Sequence, residues 1–256
     1  MTASAERRQQ DWRDAMLAAA LFAMAPAKLG GVMVRGPAGP VRDRWLAHVR
    51  SMMAPGAPLQ RVPINVSADR LQGGLDVAAT LAAGQRRVER GVLAQADGGA
   101  IVLPMAERWS ASAFGPIAAA MDVGAVRLER DGLQAVQPAC FGVIALVEDA
   151  TDDEQPPAAL TDRLAFVIDV SALSHRDCSE VPDTACEIAE GRGRYGLVAV
   201  PDADIIQALC TAALALGVAS LRAVMLAVEA ARAHAAMAGR TSITKEDAQA
   251  AARLVL

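Results

Sequence analysis

Aromatic side chains are scarce in this 256-residue chain, which has three Trp, one Tyr and four Phe. With a net charge of −4 and no extended basic stripe, that scarcity excludes base stacking and sequence reading of nucleic acid. Cysteine and histidine are also few. Cys140, Cys178, Cys186 and Cys210 fall at irregular spacings without a C-x-x-C pair, and His48, His175 and His234 are scattered, so no zinc site is suggested. The cysteines read as reduced core or loop residues of a cytoplasmic protein. No apolar run is long enough for a bilayer: residues 15–25 fall short of the ~20 that a spanning helix needs. The first 13 residues carry charges of both signs and lead into an amphipathic helix, which is not a signal peptide. What is abundant is alanine, which favours helix, within a composition of 53% hydrophobic and 21% charged residues. That balance describes a globular chain long enough for one large domain, or a domain with a satellite.

Periodicity divides the chain unevenly. Helix is expected over 11–25 and 42–53, with buried strands at 32–34, 60–66, 100–103, 141–147 and 164–170. Residues 69–76 read as a Gly-rich turn before a short helix at 77–83 that Gly84 stops. Segments 125–129 and 133–137 flank Arg130-Asp131-Gly132, a hairpin signal. Strands alternating with helices predict a parallel three-layer αβα sheet over 1–175. From residue 183 onward only helices are expected, at 184–190, 201–216, 218–237 and 244–255, with glycine breaks at 191–196 and a capping box from Thr244 to Asp247.

Residues 31–48 carry the chemistry of most interest. A β-rich apolar run, a Gly/Pro loop and an amphipathic helix form the strand–loop–helix context of a phosphate loop. The pattern G-x-x-x-x-G-K-[ST] would start at Gly36, but Val41 stands at the second glycine, Arg42 at the lysine and Asp43 at the hydroxyl residue. The positions facing a nucleotide would be Gly36, Gly39, Arg42 and Asp43. Pro40 has no N–H to aim at a phosphate, and Val41 resists a positive φ. A carboxylate ~4 Å from a phosphate charge, at an effective dielectric of ~20, costs about 4 kcal/mol unless a metal bridges them.

Several local patterns in one order resemble the AAA+ module of the magnesium chelatase family, specifically that of the subunit which partners the family's ATPase. They are the phosphate-loop position, an insert at 68–98 reading Asp69-Arg70-Leu71, Gly74-Leu75-Asp76, Leu81, Gly84 and Glu89-Arg90-Gly91-Val92-Leu93, a hairpin at 125–137, and a helical lobe at 183–256. The resemblance covers nearly the whole chain and implies an AAA+-type core with a C-terminal helical lid. It places the Walker B segment on Ile101-Val102-Leu103, with Pro104 and Met105 in the acid positions and Glu107 displaced beyond them. The residue that senses the γ-phosphate falls near Glu148, an acid where an amide is expected. Three catalytic parts are therefore altered, which implies a chain without ATPase activity of its own. Two basic positions persist. Arg163, in Leu160-Thr161-Asp162-Arg163-Leu164, matches the arginine that acts in trans on a neighbour's nucleotide, and Arg222 matches the lid arginine.

The implied role is in ATP-driven Mg²⁺ insertion into protoporphyrin IX, in (bacterio)chlorophyll synthesis. The partners would be the chelatase's ATPase subunit and, through the complex, its porphyrin-binding subunit. No cofactor is expected in this chain, since ATP and Mg²⁺ would sit on the ATPase subunits. The family's linker and metal-binding domain are not visible, so the chain reads as an N-terminal part of such a subunit. The residues leave other readings open. Arg42 could replace the lysine and Asp43 recruit Mg²⁺ in a working or nucleotide-binding ATPase, or the chain could be a MoxR-like adaptor unrelated to tetrapyrroles. Arg163 could be paired with Asp162 or with the acidic loop, and Arg222 could form a salt bridge between the lobes. The acidic run Glu148, Asp149, Asp152, Asp153 and Glu154 reads as a solvated loop rather than a Mg²⁺ site. Trp12, Trp45 and Trp109 read as packing anchors rather than a porphyrin platform.

Overall fold

The computed structural model describes residues 3–130, 133–148, 154–178 and 184–256. Helix α1 (Ala3–Met24) starts earlier than its apolar periodicity predicts, because its charged first half adds helix without adding pattern. In its second half every side chain from Ala18 to Met24 is buried, as an alanine-rich helix enclosed on all sides requires. Pro26 closes α1 and opens the short α2 (Pro26–Leu29). Strand β1 (Gly31–Arg35) leads to α3 (Pro40–Met52), whose first residue is the proline assigned above to the loop. An N1 proline suits a helix start, since the N–H it lacks would have had no helical partner. Strand β2 (Leu59–Arg61) follows, shorter than expected.

The 68–98 insert is more ordered than a Gly-rich turn. Helix α4 (Ala68–Gln72) is capped by the Ser67 hydroxyl, and β3 (Gly73–Leu75) follows directly. Helix α5 (Val77–Ala83) is capped by Asp76 and stopped by Gly84 in the left-handed region, φ 63°. Strand β4 (Val88–Arg90) pairs antiparallel with β3, and α6 (Val92–Gln95) returns the chain to β5 (Ala100–Leu103). Helix α7 (Ala111–Val123) then leads into β6 (Ala125–Arg130), which pairs antiparallel with β7 (Leu133–Pro138) as the hairpin signal predicts. The Asp131-Gly132 turn itself lies outside the described residues. Strand β8 (Gly142–Val147), α8 (Ala158–Thr161) and β9 (Phe166–Asp169) complete the α/β layer.

All five strands of the main sheet are parallel, in the order β2-β5-β8-β1-β9. Alternation along the strands splits their side chains between two apolar layers. Val32, Val34, Ile144, Leu146, Phe166 and Ile168 join α1, α3 and the C-terminal helices. Met33, Ile101, Leu103, Val143, Ala145 and Val147 join α6, α7 and the hairpin. β8 is buried at all six positions, as a central parallel strand covered on both faces should be.

The C-terminal lobe comprises α9 (Ala185–Tyr195), α10 (Ala203–Ala215), α11 (Leu221–Met237) and α12 (Lys245–Val255). Helix α9 runs straight through the glycines read above as a break. A Cβ on Gly191 would lie 2.6 Å from the Met24 sulfur and 3.2 Å from the Met237 Cα, so this glycine serves close helix packing. Beside it, the Arg192 guanidinium donates to the carbonyls of Ala23 (3.1 Å) and Met52, at the C-terminal ends of α1 and α3. The Thr244–Asp247 capping box forms as expected. Asp247 is fully buried and also takes contacts from His234 and Arg240. No helix among the described residues is long and apolar enough to cross a membrane.

Candidate functional site

The loop after β1 closes on itself. Gly36 has φ 141° and its N–H extends the ladder to the Val147 carbonyl at 2.9 Å. A Cβ there would lie 2.8 Å from Val170 Cγ2, so packing behind the loop demands this glycine. Gly39 is extended, at φ 163°, and a Cβ on it would meet nothing within 4 Å. Asp43 is exposed in the first turn of α3, where a carboxylate complements the helix dipole.

Arg42 is buried and turns back into the loop. Its Nη1 donates to the Gly36 carbonyl at 3.3 Å and its Nη2 to Glu148 Oε1 at 3.0 Å. The residue at the lysine position and the acid at the sensor position therefore neutralise each other across the ends of β1 and β8. Beyond the neighbouring β5 come Pro104 and Met105, and Met105 is the one non-glycine at positive φ (49°) among the described residues. Glu107 follows in a short 3₁₀ turn, buried, with Oε2 lacking a hydrogen-bond partner among the described residues. Of the acidic run, Glu154 pairs with Arg108 at 3.7 Å, while Asp149, Asp152 and Asp153 lie outside the described residues.

A second cluster lies at the other end of the sheet. Arg163 precedes β9, and its carbonyl fills the space that a Cβ on Gly30, just before β1, would need. The five residues of β1 separate this cluster from the Gly36 loop by roughly 17 Å. Arg163 grips Asp122 with two nitrogens, Nε on Oδ1 (3.1 Å) and Nη2 on Oδ2, while Nη1 holds the Ala159 carbonyl at 2.8 Å. Arg222, at the start of α11, donates to the same Asp122 Oδ1 at 3.1 Å and pairs with Asp162 at 3.1 Å. Asp162 also accepts from the Ser220 hydroxyl. The Arg163 hydrogen bond, with Arg222 assisting, holds the Asp122 carboxyl below the usual range against the opposing effect of partial burial. A cleft of about 470 Å³ opens here between the start of the sheet and the helical lobe, walled by Lys28, Met225 and Val228 as well as the charged cluster.

Comparison with known proteins fits this geometry. Residues 206–256 match the AAA lid domain family. The chain is 36% identical to the magnesium-chelatase 60 kDa subunit of Cereibacter sphaeroides, over 95% of this chain and 40% of the relative. It is 32% identical to the 67 kDa subunit of Chlorobaculum parvum, over 92% of this chain and 40% of the relative. The chain is a homologue of the magnesium-chelatase 60 and 67 kDa subunits. It spans about two fifths of their length. A weaker similarity, 25% identity over 78% of this chain and 63% of the relative, reaches the 38 kDa subunit of Rhodobacter capsulatus. The fold is AAA+-type: the crystal structure of a Cytophaga hutchinsonii protein provisionally named an ATPase superposes with TM-score 0.68 at 15% identity, covering 99% of this chain and 89% of that one.

Within this magnesium-chelatase homologue, the site residues expected from sequence fall into two groups. Gly36, Gly39, Arg42 and Asp43 stay together at one end of the strands. Arg163 and Arg222 meet at the other, so Arg222 joins the arginine of the core and not the loop. Asp122, which joins them, escapes a sequence reading that pairs Arg163 with Asp162 or the acidic loop. The available signal was an acid in the last turn of a helix, where the dipole disfavours it. The three tryptophans pack as anchors. Trp45 Nε1 donates to the Ala15 carbonyl at 2.8 Å and Trp109 Nε1 to Pro104 at 3.4 Å, while Trp12 is buried beneath Arg44.

Proposed function

We propose that this chain is a catalytically degenerate AAA+ module of magnesium chelatase. In this reading it assembles with the chelatase's ATPase subunit, and through the complex with the porphyrin-binding subunit, in the cytoplasm. It supports ATP-driven Mg²⁺ insertion into protoporphyrin IX during (bacterio)chlorophyll synthesis. Hydrolysis, with its ATP and Mg²⁺, takes place on the partner subunits.

The observation that carries the reading is Arg42 bound to Glu148 and to the Gly36 carbonyl. A phosphate-binding cation has to be within reach of the phosphate, and this side chain is 8% exposed behind the loop, with two of its N–H groups held by the chain's own oxygens. With proline and methionine in the acid positions beyond β5, no carboxylate there polarises water or holds Mg²⁺. Arg163 is also held by the chain's own oxygens, those of Asp122 and the Ala159 carbonyl, but it lines an open cleft that a neighbour can reach. An arginine supplied to a neighbour's site is worth ~10³–10⁵ in rate.

A pull-down with the ATPase subunit, with and without ATP, scored together with ATPase turnover, tests the assembly. Retention on that subunit with no turnover by the chain alone supports it. Tight ATP binding with turnover by the isolated chain would overturn it in favour of a working ATPase. Arg163→Ala should lower turnover of the mixed complex by about 10³-fold or more, the range of a lost arginine finger. Unchanged turnover would remove the role in trans.

A further inference from the structure

The cleft beside α7 is organised around a single carboxylate. Arg163 holds Asp122 through Nε and Nη2, one nitrogen to each oxygen, a fork that fits two oxygens of a phosphoryl group as well as it fits a carboxylate. Arg222 adds a third N–H contact from the helical lobe. Each arginine also has an anchor independent of Asp122, the Ala159 carbonyl for Arg163 and Asp162 for Arg222. Both guanidinium groups therefore remain aimed into the cleft when Asp122 leaves. Asp122 itself is poorly supported by its own helix, because it lies in the last turn of α7, where backbone carbonyls converge and disfavour a negative charge. Lys28 adds a further positive charge to the same wall. The volume of about 470 Å³ lies within the ~300–1,000 Å³ range of small-ligand sites.

We propose that this cleft is a polyphosphate-binding site that the chain closes with its own side chain, Asp122 standing in for a phosphoryl group until an external one displaces it. The inference rests on the reading of Arg163 as a residue offered to a neighbour's nucleotide. It adds that both arginines act as one receptor and that Asp122 sets the threshold for its use. Displacing Asp122 lowers apparent affinity in proportion to the fraction of molecules in which the receptor is closed.

Titration of inorganic pyrophosphate into the full chain by calorimetry tests this. Asp122→Asn should bind pyrophosphate at least about tenfold more tightly than the unaltered chain, because the closed fraction is removed. That gain should vanish in Asp122→Asn combined with Arg222→Ala. Equal affinity in the unaltered and Asp122→Asn chains, or a gain that survives loss of Arg222, would overturn the proposal. If Asp122→Asn does not fold, the unaltered chain decides the matter. Millimolar pyrophosphate should raise its melting temperature and leave that of Arg222→Ala unmoved, and equal responses would refute the site. Failure of the trans role is separable: pyrophosphate binding would open in Asp122→Asn while Arg163→Ala leaves the turnover of the mixed complex unchanged.

Discussion

The contact of Arg42 with Glu148 can be weighed by a double-mutant cycle. The Arg42 side chain is 8% exposed and that of Glu148 37%, so the pair lies between two regimes. An exposed pair contributes ~0–1 kcal/mol, whereas removing one partner of a buried pair costs ~3–5 kcal/mol. Glu148→Ala strands a buried guanidinium whose remaining acceptor is the Gly36 carbonyl at 3.3 Å and whose Nε has no partner among the described residues. We expect that variant to lose about 2–3 kcal/mol, the half-exposed glutamate discounting the buried figure. Arg42→Ala removes the charge as well as the contact, and the double variant should recover about 1–2 kcal/mol of the summed losses. Urea melts of the four proteins measure each corner, with m-values expected to stay constant. In the thermal transition the Glu148→Ala loss corresponds to a fall of roughly 4–12 °C for a chain of this size. A coupling below about 0.5 kcal/mol would mean that Arg42 and Glu148 stabilise the loop independently, and it would remove the idea that one neutralises the other.

Three further outcomes concern the frame that holds these sites. Asp247→Ala should cost about 3–5 kcal/mol in urea unfolding, because it removes the carboxylate that accepts from the Thr244 N–H and hydroxyl in the capping box and leaves Arg240 and His234 without their shared acceptor. Burial raises the Asp247 pKa, but the His234, Thr244 and Arg240 contacts outweigh it and hold the group below its ordinary value. Its stabilising contribution is therefore present above the unfolded carboxyl range and is lost as pH falls through the folded value. Asp247→Asn should flatten the acid limb of the stability profile, and an unchanged limb would exclude this residue as its source. Gly191→Val should lower the melting temperature by several degrees. The added atoms meet the Met24 sulfur and the Met237 backbone at an overpacking cost of about 1–3 kcal/mol, which exceeds the gain of under 1 kcal/mol from better helix propensity. A variant as stable as the parent would mean that α9 has room to shift.

The sheet was legible because buried parallel strands write themselves as short apolar runs, and 32–34, 100–103 and 141–147 sit within or within a residue of observed strands. The α5 helix and the Thr244 cap were legible for another reason, since capping chemistry is local and needs no tertiary partner. Gly191 misled for the converse reason. A glycine inside a helix reads as a break, and the Met24 and Met237 atoms that demand it are 167 and 46 residues away in sequence. The insert misled in the same way, because β3 becomes a strand only by pairing with β4. At the sites, the identity of each altered residue was visible, but the pairing was not. Arg42 and Glu148 lie 106 residues apart, and Asp122 and Arg222 lie 100 apart.

The alanine-rich half of α1 has a mechanical consequence. It shares one dry layer with the strands on one side and with α9 and α11 on the other, and Arg192 stitches the lobe to the ends of α1 and α3. Along that join the buried side chains of α1, α9, α11 and the strands belong to one apolar cluster. A force applied to the helical lobe would thus reach the strands through the packed side chains of α1 and the Arg192 hydrogen bonds.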